Sequence, residues 1–126
     1  MEGIIGERLR ERVRVIEEAR KWSRGLKYPV TAILVGSYAR GDFNKWSDVD
    51  IILVSPAFEG KTPIERLYEV DAPPGYEVIP WTPRELERMM AKGNPLAIEA
   101  SRHGVILRDD LGLAKLVRGS GSHRLL

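Results

Sequence analysis

Residues 35–54 read VGSYARGDFNKWSDVDIILV and carry the end of one strand, a turn and the whole of a second strand. Upstream, Tyr28 to Val35 (YPVTAILV) is apolar and β-branched and predicts the first strand, closed by Gly36. Ser37 to Asp42 predicts a short helix, and GDFNKWS is loop chemistry. Asp48 to Val54 (DVDIILV) predicts the second strand. On a strand, residues two apart share a face, so Asp48 and Asp50 lie side by side while Val49, Ile51 and Leu53 point into the core. That alternation pins the register. The two carboxylates should stand about 6 Å apart, where at an effective dielectric near 20 they repel by about 3 kcal/mol. Folding does not favour the pair without a counter-charge, and a divalent cation supplies one.

Working outward, Glu7 to Leu26 predicts an amphipathic helix. Leu9, Val13, Ile16, Ala19, Trp22 and Leu26 recur at spacings of three or four and form its expected buried face. Its charged residues read as a solvated face, the alternative being a partner or RNA surface. Thr62-Pro63-Ile64-Glu65 and Thr82-Pro83-Arg84-Glu85 each match a capping box with proline at the first helical position. Between them Ala72-Pro73-Pro74-Gly75 breaks the chain, and Tyr76 to Trp81 predicts a third strand. Asn94-Pro95 predicts a further helix start, Gly104 its stop, and Val105 to Arg108 a short last strand. The expected class is α/β (α+β), with one small mixed sheet flanked by helices. The short link between strands one and two fits an antiparallel return. The longer Ser55 to Gly75 link permits a parallel crossover. One domain is expected over residues 1–117, with a flexible tail over 118–126.

Composition narrows the chemistry. The chain has 126 residues, 43% hydrophobic and 30% charged, which suits one domain with a real core and excludes a disordered or collagen-like chain. With no cysteine there is no disulfide framework, thiolate zinc site or cysteine nucleophile. Two histidines exclude a His-rich metal site. No apolar run spans a bilayer and no secretory h-region opens the chain, so no membrane association is expected, and a cytoplasmic location is. A net charge of +2 does not by itself imply nucleic-acid binding.

The expected topology gathers chemistry at one sheet edge. Antiparallel strands put Gly36-Ser37 beside Asp48 and Asp50. A parallel third strand starts Glu77 at the same edge. Glycine lets backbone approach a ligand closely, and the Ser37 hydroxyl with nearby N–H groups can hold phosphate oxygens. Carboxylates for magnesium on one side and phosphate donors on the other suit a nucleoside triphosphate. The implied reaction is nucleotidyl transfer.

Val35-Gly36-Ser37, ten residues from Tyr38 to Ser47, then Asp48-Val49-Asp50-Ile51 resembles the signature of the DNA polymerase beta superfamily of nucleotidyltransferases. The variant with Ala39-Arg40-Gly41-Asp42 and Ser47-Asp48 is similar to the minimal nucleotidyltransferase (MNT) group. The likeness extends more loosely to EVIPWTPREL and GNPLAIEASRHGVILRD, from Val30 to Asp109. It implies a polymerase-beta-like fold, Gly36 and Ser37 as nucleotide-binding residues, and Asp48 and Asp50 as magnesium ligands. Glu77 matches the third catalytic and metal-binding carboxylate, which helps activate the acceptor hydroxyl. Many relatives have Asp there, and Asp71 is the fallback. Two magnesium ions are implied, manganese being the alternative. ATP is the expected donor of AMP. A HEPN-domain protein is the partner the resemblance suggests, the chain then being an antitoxin that modifies it.

Other readings stand beside these. Arg40 either joins Gly36 and Ser37 on the nucleotide or pairs with Asp42. His103 reads as a partner of a helix C-terminus. Trp22, Trp46 and Trp81 read as packing residues, with Trp46 over a ligand as the alternative. A homodimer would cover exposed apolar ends of the first helix. The alternative functions are a binding module that neutralises a partner by contact, and an aminoglycoside-type transferase with a small-molecule acceptor.

Overall fold

The computed structural model describes residues 2–117. The expected tail over 118–126 lies outside them. In chain order the elements are α1 (Glu2–Arg24), β1 (Thr31–Val35), α2 (Gly36–Arg40), β2 (Val49–Val54), α3 (Pro63–Val70), β3 (Tyr76–Trp81), α4 (Pro83–Ala91), α5 (Pro95–His103) and β4 (Val105–Asp109). Short 3-10 turns at Pro56–Phe58 and Ala114–Leu116 carry no counterpart in the sequence reading. The four strands lie in the order β3-β2-β1-β4. As expected, β1 runs antiparallel to β2, and β2 runs parallel to β3 with α3 in the crossover.

Both faces of the sheet are covered, and strand parity sorts them. On one face Ala32, Leu34, Val49, Ile51 and Leu53 pack with Val15, Ile16 and Ala19 of α1, Phe58 and Val70. On the other, Ile33, Val35, Ile52 and Val54 pack with Leu86 of α4, Ala100 of α5 and Val117. The second face changes character along β2. Ile52 and Val54 are buried, but Asp50, which shares their parity, lies beyond the helical cover. Among the described residues no helix is long and apolar enough to cross a membrane.

The expectation for α1 holds in part. Ile16, Ala19, Trp22 and Leu26 lie inward as expected, but Leu9 and Val13 are 60% and 46% exposed, and Val15 and Ser23 join the inner face. Arginine explains the difference. Arg12 donates from Nε to the Tyr38 carbonyl at 2.7 Å and from Nη2 to the Ala39 carbonyl at 2.8 Å. Arg8 donates from Nη2 to the carbonyls of Gly41 and Phe43 at 3.1 and 2.9 Å. The last carbonyls of a helix have no intrahelical donors, and these guanidinium groups supply them. Arg12, half-buried, and the exposed Arg8 therefore occupy the side of α1 that meets α2 and the loop after it.

The caps formed as read. Thr62 with Glu65, and Thr82 with Glu85, make reciprocal capping boxes. The Asn94 side chain accepts from Leu96 and Ala97 N–H. Gly104 does end α5, but without left-handed backbone, at φ −59°. Its smallness is what counts, because a Cβ there would come within 2.5 Å of the Ala100 carbonyl oxygen and 2.7 Å of Ile33 Cγ2. Glu85 has a second role. Arg66, 8% exposed, donates to it from Nη1 at 2.6 Å and from Nη2 at 3.2 Å, and also reaches the Pro80 carbonyl at 3.1 Å. This bidentate pair ties α3 to α4 across β3 and holds the Glu85 carboxyl below the usual glutamate range. Arg66→Ala would leave the Glu85 carboxylate with only the Thr82 N–H and is expected to lower unfolding free energy by roughly 2–4 kcal/mol. Urea denaturation checks this, and a loss below about 0.5 kcal/mol would show that the pair contributes no more than a surface ion pair.

Candidate active site

The register sets the site. Val35, the last residue of β1, stands opposite Asp50 of β2, and Asp50 stands beside Glu77 of β3. The expected convergence of a Gly-Ser turn and carboxylates on one edge therefore follows from two strand pairings. Gly36 has φ +76°, and a Cβ added to it would overlap the Asp50 carboxylate. Glycine is required there twice over, for the positive φ and for the close approach of backbone to carboxylate. Ser37 follows, half-buried, in the first turn of α2.

Charge is crowded at this edge. Burial pushes the Asp50 carboxyl up to about 6, and Glu77, Asp48 and Glu99 push the same way, with Arg40 opposing. The repulsion anticipated between Asp48 and Asp50 is thus widened by Glu77, which the register places closest. Asp48 and Glu77 are exposed at the mouth of the edge. Asp71 is not part of it. It caps the C-terminus of α3 in left-handed backbone at φ 48°.

Arg40 has two partners. It donates from Nε to Asp42 Oδ2 at 3.1 Å and from Nη1 to Glu99 Oε1. The second partner is absent from the sequence reading. Glu99 sits on α5, and its other oxygen accepts the Gly36 N–H at 3.2 Å. Its neighbours Ala97 and Ala100 are fully buried and let α5 lie close to the sheet, which is the signal that would have found it. The three tryptophans divide. Trp22 packs edge-on against Tyr76 with centroids 5.4 Å apart, and Trp81 packs on the second face. Trp46 departs from the packing reading, being 78% exposed with Lys45 Nζ 4.6 Å from its ring centre. His103 is the last residue of α5 and exposed, as a C-terminal dipole partner would be.

Among the described residues no three acidic or histidine side chains form a ready-made metal cage. Magnesium does not need one. It is held by one or two carboxylates together with water and phosphate oxygens. Asp48 and Asp50 are the pair that could hold such an ion, and the Asp50 carboxyl is pushed up first by burial and then by the carboxylates around it.

The shift has a direction that stability measurements can read. A carboxyl whose folded value lies above its ordinary one disfavours the fold once ionised, so stability falls as pH rises from about 4 to 6. Asp50→Asn removes that cost. The variant is expected to melt a few degrees higher (roughly 2–6 °C) than the native chain near pH 8, with the gap closing below about pH 4. A variant that melts lower near pH 8 would contradict this.

The geometry agrees with the comparisons to known proteins. The model of the nucleotidyltransferase domain family matches residues 11–106, which include every candidate residue. A crystal structure from Sulfolobus solfataricus, of a protein provisionally assigned as a nucleotidyltransferase, superposes with a TM-score of 0.60. It shares 19% identity and covers 79% of this chain and 84% of that one, so it shows likeness of fold. No curated protein sequence matches the chain. With a family model spanning most of its length, and with the Gly-Ser turn set against paired aspartates, the chain belongs to the nucleotidyltransferase domain family.

Proposed function

We propose that the chain transfers a nucleoside monophosphate, AMP from ATP, to an acceptor hydroxyl. The observation that carries this is the contact of Gly36 with Asp50, which sets a phosphate-accepting turn directly against a crowded carboxylate edge. In this reading Gly36 N–H, the Ser37 hydroxyl and Arg40 hold triphosphate oxygens, while Asp48 and Asp50 hold magnesium, two ions in the fullest form. Magnesium, when bound, neutralises the triphosphate and the carboxylates that face it. Glu77, next to Asp50, takes the proton from the acceptor hydroxyl. The hydroxyl oxygen forms a bond to the α-phosphorus. The bond from that phosphorus to the α–β bridging oxygen breaks, and pyrophosphate leaves with the electron pair. The resemblance to the MNT group supports a protein acceptor, with a HEPN-domain protein as the partner.

A second reading, neutralisation of a partner by contact alone, is favoured by one observation. Ile64, Leu67 and Tyr68 form an apolar ridge on α3 and are 68%, 48% and 83% exposed. The two readings separate in one experiment, in which purified protein, magnesium and ATP labelled at either the α- or the γ-phosphate are added to a cell extract. Transfer of α-label alone, lost by at least about a hundredfold in Asp48→Asn and in Asp50→Asn, is expected for nucleotidyl transfer. Transfer of γ-label, or full α-transfer by Asp50→Asn, overturns it. Absence of any transfer, with partner binding intact, leaves the contact reading.

A further inference from the structure

Glu99 is a charged group at this edge that the proposed chemistry leaves without a task, as it does Asp42 on the other side of Arg40. Its two oxygens are both engaged, one by the Gly36 N–H at 3.2 Å and the other by Arg40 Nη1. Those are two of the donors that a triphosphate would use. The carboxylate also adds to the field that raises Asp50. It reaches the site from α5, an element separate from the turn and from the strand of the aspartates. Its side chain is 23% exposed, and α5 is anchored by Ala97 and Ala100, both 0% exposed. The backbone that carries Glu99 is thus held against the sheet, while its side chain keeps partial exposure.

We propose that Glu99 is an internal anion that occupies the phosphate donors of the free protein and yields them to the incoming polyphosphate, so that it sets nucleotide affinity. The inference rests on the nucleotidyl-transfer reading of the same edge. An anion on those donors keeps Arg40 and the Gly36 N–H satisfied when no ligand is bound, and keeps Arg40 beside the turn. Polyphosphate must displace it against like charge, which weakens binding. Glu99 is a positioning residue in this account, acting through Arg40 and Gly36 and touching no reacting atom. A metal-ligand role for Glu99 is the opposing assignment, and it carries the opposite sign.

The test measures binding of inorganic tripolyphosphate without metal, and of magnesium-ATP, by calorimetry on the native chain, Glu99→Gln and Glu99→Ala. Tripolyphosphate is expected to bind at least about tenfold tighter to both variants, a gain of about 1.4 kcal/mol. In an Arg40→Gln background the gain should shrink, because Arg40 is one of the donors Glu99 withholds. KM for magnesium-ATP should fall while kcat stays within about twofold, a split that loss of a structural contact would not produce. Unchanged or weaker tripolyphosphate binding by both variants overturns the proposal, as does weaker magnesium-ATP binding, which would make Glu99 a metal ligand. If tripolyphosphate behaves as expected but magnesium-ATP binding ignores Asp48→Asn/Asp50→Asn, the Glu99 assignment stands and the transferase reading falls. If no form binds either probe, both fall.

Discussion

The close packing of a glycine backbone against an aspartate carboxylate is the constraint on which the rest of the structure turns. Gly36 leaves no room for a side chain, and Asp50 fills the space that one would take. That contact exists only because Val35 is opposite Asp50 in the β1–β2 pairing. A slip of one residue would turn Asp50 toward α1 and Ile51 toward the site. The parallel pairing of β2 with β3 then delivers Glu77 to the same place. Two registers thus collect carboxylates that repel one another. The rest of the fold has to tolerate them.

It does so by burying both faces of the sheet behind the site. The apolar run Ile51 to Val54 is fully buried, and its burial on both sides offsets the charge at the strand's start. The turn is braced from outside by Arg8 and Arg12, which hold the end of α2 and the loop after it. The far side is braced by Arg66 and Glu85, which hold α3 and α4 across β3. The candidate site is thus built on strand ends between braced helices. On the proposed reading, function and stability pull apart at Asp50, where the fold would be easier without the charge.

Much of this was legible in the sequence, for identifiable reasons. Local rules found what local physics determines. Both Thr-Pro-x-Glu caps formed, Tyr76 to Trp81 became β3 with the expected ends, and the alternation from Val49 to Val54 sorted the faces of β2, which begins one residue after the expected Asp48. The edge that unites Gly36, Asp50 and Glu77 was open to the sequence because one link fits an antiparallel return and the other permits a parallel crossover, and both pairings formed. What escaped depends on distant contacts. Leu9 and Val13 fit a helical stripe, but this end of α1 meets its neighbours through Arg8 and Arg12, which donate to carbonyls of α2 and of the loop after it. Trp46 has the bulk of a core residue but sits in a turn held by Asn44 and Ser47, away from the sheet. Glu99 is separated by 63 residues from the N–H it meets, and no spacing rule reaches that far.

The central claim is that this edge is a magnesium–nucleotide site, and thermal melting with each nucleoside triphosphate, with and without magnesium, tests it most directly. A ligand present at 100 times its dissociation constant adds about 2.7 kcal/mol of stability. Stabilisation of about that size by ATP, dependent on magnesium and absent in Asp48→Asn/Asp50→Asn, is the expected result. Stabilisation that survives the double substitution, or none with any triphosphate at saturating concentration, would contradict it.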